Sequence, residues 1–252
     1  MTETPSPNTI SVFPDDAVVV VTGAASGIGR AIAQAAAACR LGVSVWDVSD
    51  GADELVGELQ ANGARSLGVH VDVTDAASVA AAMERTTDEL GPVRYLVNNA
   101  GPSSYDGLEF DEALAAAVGS VRLVTETWLT GPGSQNGAVV NIASIAGPIT
   151  GGGAADWYPT AKAAITGYTR YLAVNRPNGI RANTVAPGFT ETPRTTEFLG
   201  SDAGKAAVAR TPLGRAAAPA EIAGPVLFLL SEAASYVNGV LLPVDGGTVI
   251  VL

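Results

Sequence analysis

The chain has 252 residues, 47% of them hydrophobic and 15% charged, with a net charge of −11 at pH 7. That acidic balance, without any cluster of Lys or Arg, argues against nucleic acid as a partner, because phosphate-backbone affinity rests on grouped cations. No run reaches the roughly 18 consecutive apolar residues of a membrane span, and a lone cysteine, Cys39, rules out intrachain disulfides and a thiolate metal cage.

The first residues carry acids and prolines but no basic start followed by an apolar run. They read as a surface arm, residues 1–16, rather than a signal peptide, which points to a soluble cytoplasmic protein. Residues 17–252 lack a Ser/Pro/Gly-rich interior linker and read as one domain. Short β-branched apolar runs at 18–22, 43–47, 66–71, 95–98, 138–142, 181–186 and 240–244 predict seven strands. Between them, amphipathic or alanine-rich stretches predict helices at about 28–40, 52–62, 76–90, 110–128, 158–175 and 219–230. Near-continuous strand hydrophobicity with helical crossovers gives an α/β fold: a doubly wound, Rossmann-like parallel sheet with helices on both faces. Segment 189–215 interrupts the rhythm, with a short helix near 203–210, and reads as an insertion over a substrate.

The turn after the first strand runs Thr22-Gly23-Ala24-Ala25-Ser26-Gly27-Ile28-Gly29. Gly23, Gly27 and Gly29 permit tight curvature and close approach to a pyrophosphate, and the following helix start offers free amides and a positive dipole end. Asp47 closes the second strand about twenty residues on, where a carboxylate can accept hydrogen bonds from both adenosine ribose hydroxyls. A 2′-phosphate would meet that charge, so NAD is favoured over its phosphorylated form. Reading Asp47 as a turn residue stays open, since Ser49 and Asp50 follow. Asp72 and Val73 end the third strand beside the expected adenine, and Asn98-Asn99-Ala100-Gly101 closes the fourth as cofactor wall.

Tyr158 and Lys162 stand four residues apart on a predicted helix, hence on one face, with Ser144 upstream. An ammonium beside a phenol favours the phenolate. Bringing a tyrosine from a pKa of about 10 to about 7 takes roughly 4 kcal/mol. Cys39 reads as a buried structural thiol, and His70 as a strand histidine without metal partners. Phe189, Phe198, Leu199, Leu213, Ile149 and Trp157 could supply an apolar substrate surface, and Arg194 or Arg210 could meet a carboxylate.

These motifs, in this order, resemble the short-chain dehydrogenase/reductases from about Val18 to Val251: Thr22 through Gly29, Asp72-Val73, Asn98 through Gly101, Ser144, Tyr158 with Lys162, Pro187-Gly188 followed by Thr190 or Thr192, and Asp245-Gly246-Gly247. The resemblance implies a seven-stranded domain assembled as a homotetramer, oxidising secondary alcohols or reducing ketones with a nicotinamide cofactor. It implies that Ser144 bonds the substrate oxygen, Tyr158 exchanges its proton, and Lys162 binds nicotinamide ribose. Gly23, Ser26, Gly27, Ile28, Gly29, Asp47, Asp72, Val73, Asn99, Ala100, Gly101, Pro187, Gly188, Thr190 and Thr192 would contact the cofactor, and no metal is implied. One position departs. Relatives commonly carry an asparagine where Ala117 stands, counted from Asp111, and Ser120 follows one turn later. The alternative this raises is a dinucleotide-binding sensor or assembly protein without turnover.

Overall fold

A computed structural model describes residues 13–150 and 155–250 of the chain. All seven predicted strands are present, two with the expected bounds and the others with an end shifted by one or two residues: β1 (Val18–Thr22), β2 (Gly42–Asp47), β3 (Ser66–His70), β4 (Val93–Asn98), β5 (Ala138–Ile142), β6 (Arg181–Pro187) and β7 (Leu241–Val244). They form one sheet in the order β3-β2-β1-β4-β5-β6-β7, every pairing parallel. The order reverses direction between β1 and β4. Such a switch point opens a crevice beyond the carboxyl ends of the strands.

Alternation along each strand divides the core. Val19 and Val21 of β1, Val43 and Val45 of β2, and Val140 of β5 pack under α1 (Gly27–Ala38), α2 (Gly51–Ala61) and α9 (Pro219–Leu230). Val18 and Val20, Trp46 and Val139 face the opposite layer, made by α3 (Ala76–Leu90), α5 (Ser120–Thr130) and α6 (Trp157–Asn175). Burial on both faces explains why the strands lack polar alternation. Phe13, placed by sequence in the arm, belongs to the first layer, its ring edge-on to Tyr95 at 5.4 Å. Residues 1–12, most of the predicted arm, lie outside the described residues.

The stretch predicted as one helix over 110–128 is three pieces: α4 (Phe110–Leu114), a π-helical turn (Ala115–Gly119) and α5. The insertion carries α7 (Thr196–Gly200), which the sequence does not signal, and α8 (Asp202–Ala209), close to the predicted position. Cys39 corrects another expectation. It caps α1 as an exposed residue, because the apolar stripe of that helix ends at Ala36 and the next turn leaves the sheet. His70 does end β3, exposed to solvent. No helix among the described residues is long and apolar enough to cross a membrane.

Candidate active site

A cleft of about 680 Å³ opens at the switch point. Its floor is the glycine turn. Gly23 takes a φ of +63°, and a Cβ there would come within 2.9 Å of Ala100 Cα. Ser26, Gly27 and Ile28 line the cleft at the start of α1, where the Ser26 hydroxyl makes no capping hydrogen bond and the first turn has no acid. Unspent amides and a positive dipole end therefore face the space where a pyrophosphate would lie. Gly29 does not line the cleft. A Cβ on it would fall 2.2 Å from Gly23 O and 2.6 Å from Asn99 Nδ2, so this glycine lets α1 close onto the back of the turn.

Asn99 secures the turn from β4: its Nδ2 donates to Thr22 O and Gly23 O, both at 3.0 Å, while the Asn99 and Ala100 amides donate to Thr22 Oγ1. Asn98 points elsewhere, donating to Thr125 Oγ1 and Asn141 Oδ1 inside the core. Asp47 lines the cleft and is also a turn residue: Oδ2 accepts from the Ala25 amide at 2.9 Å, and Oδ1 from the Ser49 amide and hydroxyl. The turn role is thus observed, and the carboxylate keeps further lone pairs on the side that faces the cleft. Asp72 and Val73 line the same end, with Thr74 donating twice to Asp72 and holding its carboxyl below the usual range. Ala100, Gly101, Pro187, Gly188, Thr190 and Thr192 complete the predicted wall.

At the other end, Ser144 follows β5 and meets Tyr158 and Lys162 from the first turns of α6. Gly147 makes this approach possible: at φ +97°, a Cβ there would strike Pro159 O at 2.0 Å. Lys162 Nζ donates to Ile142 O at 3.1 Å and sits 5.6 Å from the Tyr158 ring centroid. One of three ammonium donors is thus spent on the protein. Burial pulls Lys162 down to about 8, assisted by the like charge of Arg194.

The expected acidic phenol does not arise from protein groups alone. Burial pushes Tyr158 above the ordinary tyrosine value, and the Ser144 hydroxyl and the Arg194 charge only partly oppose it. The Lys162 ammonium lies over the ring, 5.6 Å from its centroid, and donates to a backbone carbonyl.

Of the proposed apolar residues, Phe189, Phe198 and Leu199 line the cleft, the two rings stacked with centroids 6.0 Å apart. Leu213 and Ile149 are exposed away from it, and Trp157 is buried beside Tyr158, ring edge to face at 5.6 Å. Arg194 borders the cleft; Arg210 instead caps α8. Sequence reasoning passed over Tyr105, on the loop after β4, and the Ile142 carbonyl that orients Lys162. Neither residue type carries a signal of its own. Ala117 lies buried against Ala113, Trp157 and Ala161, and the Ser120 hydroxyl is buried with no hydrogen-bond partner among the described residues.

A parallel sheet with a glycine turn at its switch point and a Ser-Tyr-Lys set across the cleft defines a dinucleotide-binding type of domain. A family model described as enoyl-(acyl carrier protein) reductase matches residues 23–249. The cis-4-hydroxycyclohexanecarboxylate dehydrogenase of Sinomonas cyclohexanicum is 41% identical over 243 residues, covering 91% of this chain and 95% of that protein. Among solved structures, levodione reductase has a TM-score of 0.85 at 35% identity, covering 94% of this chain and 99% of the other. A blue fluorescent protein from a metagenomic library, in complex with NADPH, has a TM-score of 0.84 at 31% identity, covering 93% and 98%. The chain belongs to the short-chain dehydrogenase/reductases, a family of oxidoreductases.

Proposed function

We propose that this protein is an NAD(H)-dependent oxidoreductase that moves a hydride between nicotinamide and a secondary alcohol or ketone on an apolar or cyclic skeleton. The observation that carries the reading is the convergence of Ser144, Tyr158 and Lys162 on the cleft that the glycine turn opens. Asp47 ends β2 and Ser144 follows β5, strands three spacings apart in the sheet, about 15 Å at the usual separation. That span suits a dinucleotide laid across the switch point with adenosine at Asp47.

When bound, the nicotinamide supplies the hydride acceptor or donor. Ser144 donates to the substrate oxygen and holds it against the Tyr158 hydroxyl. In oxidation Tyr158, as phenolate, takes the alcohol proton; in reduction it returns one. Lys162 contributes a cation beside the phenol and two uncommitted N–H donors toward a ribose. Support for NAD comes from Asp47 and from Arg30, the nearest cation after the turn, which is spent on Glu58 at 2.5 Å and Glu54 at 3.6 Å and so is held from a 2′-phosphate. The ring-bearing substrate draws on the stacked Phe189–Phe198 wall and on a relative named for a cyclohexane substrate. A cytoplasmic homotetramer completes the reading.

A second reading, a dinucleotide sensor without turnover, is favoured by Ala117 alone. Steady NADH formation with a panel of cyclic secondary alcohols separates the two. Tyr158→Phe should cut that rate by about a hundredfold or more, the scale of general acid–base catalysis, with NADH binding retained. Equal turnover in the variant would remove Tyr158 from the chemistry. Asp47→Ala should relax discrimination against NADP(H), read as the ratio of kcat/KM for the two cofactors; an unchanged ratio would dismiss the ribose role.

A further inference from the structure

Arg194 belongs to the insertion after β6 and borders the cleft. Its Nη1 donates to Gly101 O at 2.7 Å, which fixes the guanidinium against the loop that closes β4. A guanidinium has five N–H donors in a planar fork, and no other hydrogen bond or ion pair of this side chain occurs among the described residues. The charge also reaches the reacting groups, favouring ionisation of Tyr158 and disfavouring protonation of Lys162.

Two cations therefore share one end of the cleft, and no acid answers them there. Among the described residues, Asp47 and Asp72 are the only acidic side chains that line it, and both stand at the ends of β2 and β3, on the far side of the switch point. Lys162 is buried, whereas Arg194 is exposed at the mouth of the cleft, so the remaining donors of its guanidinium are open to an anion that enters from solvent. The pyrophosphate has its own place at the start of α1, where Gly27 lies against Thr192. Arg194 stands two residues beyond Thr192, past that contact, in the same segment as the Phe189–Phe198 wall.

We infer that Arg194 is a specificity-determining residue that recognises an anionic group, a carboxylate or comparable planar oxyanion, carried by the substrate at a carbon other than the reacting one. The inference rests on the oxidoreductase reading above and narrows its substrate class. A carboxylate matches the guanidinium fork by two parallel hydrogen bonds, which Lys cannot reproduce.

The test compares 4-oxocyclohexanecarboxylate with its methyl ester as substrates for NADH-dependent reduction. The wild-type protein should prefer the acid by about tenfold or more in kcat/KM, the usual size of a charge-assisted pair. Arg194→Gln should collapse that ratio toward one, through the KM of the acid and not the KM of NADH, and Arg194→Lys should recover part of it. Calorimetric titration of the protein–NADH complex with cyclohexanecarboxylate supplies a readout without turnover. Binding that Arg194→Gln removes supports the inference even where neither ketone is reduced, an outcome that would count against the cyclic-substrate reading alone. Equal use of acid and ester by the wild type, or a raised NADH KM in Arg194→Gln with the ratio intact, would assign the guanidinium to solvent or cofactor and overturn the inference.

Discussion

At the level of single residues, the protein supplies Tyr158 with opposing influences. Burial favours the neutral phenol and outweighs the lowering from Ser144 and Arg194, so the group is protonated at pH 7. Lys162, at about 8, is still mostly a cation at that pH and becomes neutral just above it. A positive nicotinamide ring brought beside the hydroxyl favours the phenolate by opposite charge. The sign follows: an acid that loses its proton more readily in the complex makes NAD+ binding tighten as pH rises from the Tyr158 titration in the complex to that in the free protein, and binding of NAD+ moves the titration downward. Tyrosinate absorbance, taken as wild type minus Tyr158→Phe, should titrate above the ordinary tyrosine range without cofactor and markedly lower with NAD+. A titration that stays in place on adding NAD+ would show that the phenol is not activated by this neighbour.

Among the elements, regular hydrogen-bonded segments were readable from the sequence because their burial is uniform. Val18 through Val21 sit between two helical layers and show it by an unbroken apolar run. The glycine turn was readable for a related reason, since few sequences tolerate the curvature that Gly23 and Gly27 adopt at φ +63° and +55°. What escaped was local geometry without a residue marker. Nothing in Ala115-Ala116-Ala117-Val118-Gly119 announces a π turn, and the alanine-rich end of α1 did not reveal that Cys39 lies outside the stripe. Gly29 reads from sequence as a cofactor contact, whereas the structure shows it packing α1 against the turn, because both needs select glycine. The π turn bears on Ala117, whose methyl packs against Ala113, Trp157 and Ala161. Placing there the asparagine that the family resemblance implies should overfill this cluster. Ala117→Asn is expected to lose about 1–3 kcal/mol in chemical unfolding, the usual cost of enlarging a packed side chain. Unchanged stability together with faster turnover would mean that the cluster has room for an amide.

For the molecule as a whole, the acidic surface and the sorted polarity of the cleft act at different ranges. A net charge of −11 opposes the approach of anions at long range and is screened by salt, whereas the cations at the catalytic end act within a few ångströms. Large apolar side chains also remain on the surface, including Tyr171 and Val174 of α6, 61% and 82% exposed, and Phe228 of α9 at 44%. Together with the proposed family assembly, they lead us to expect four copies in solution. Light scattering coupled to size exclusion should give about four times the chain mass, and Val174→Glu should reduce it if α6 forms a contact. A wild-type mass equal to one chain would refute the tetramer.

The π turn between α4 and α5 has a bearing on chain length. Such a turn accommodates one residue more than the α-helical ladder requires. Deleting Ala115 or Ala116 would allow the ladder to close with regular spacing, leaving Val121, Val124 and Trp128 seated on the sheet. Because the extra residue is taken up within the turn itself, α4 would keep Ala113 close to its buried face. This point of the helix can thus absorb an insertion or deletion while the sheet keeps its register, so the wall beside the reacting groups can be remodelled independently of the scaffold beneath.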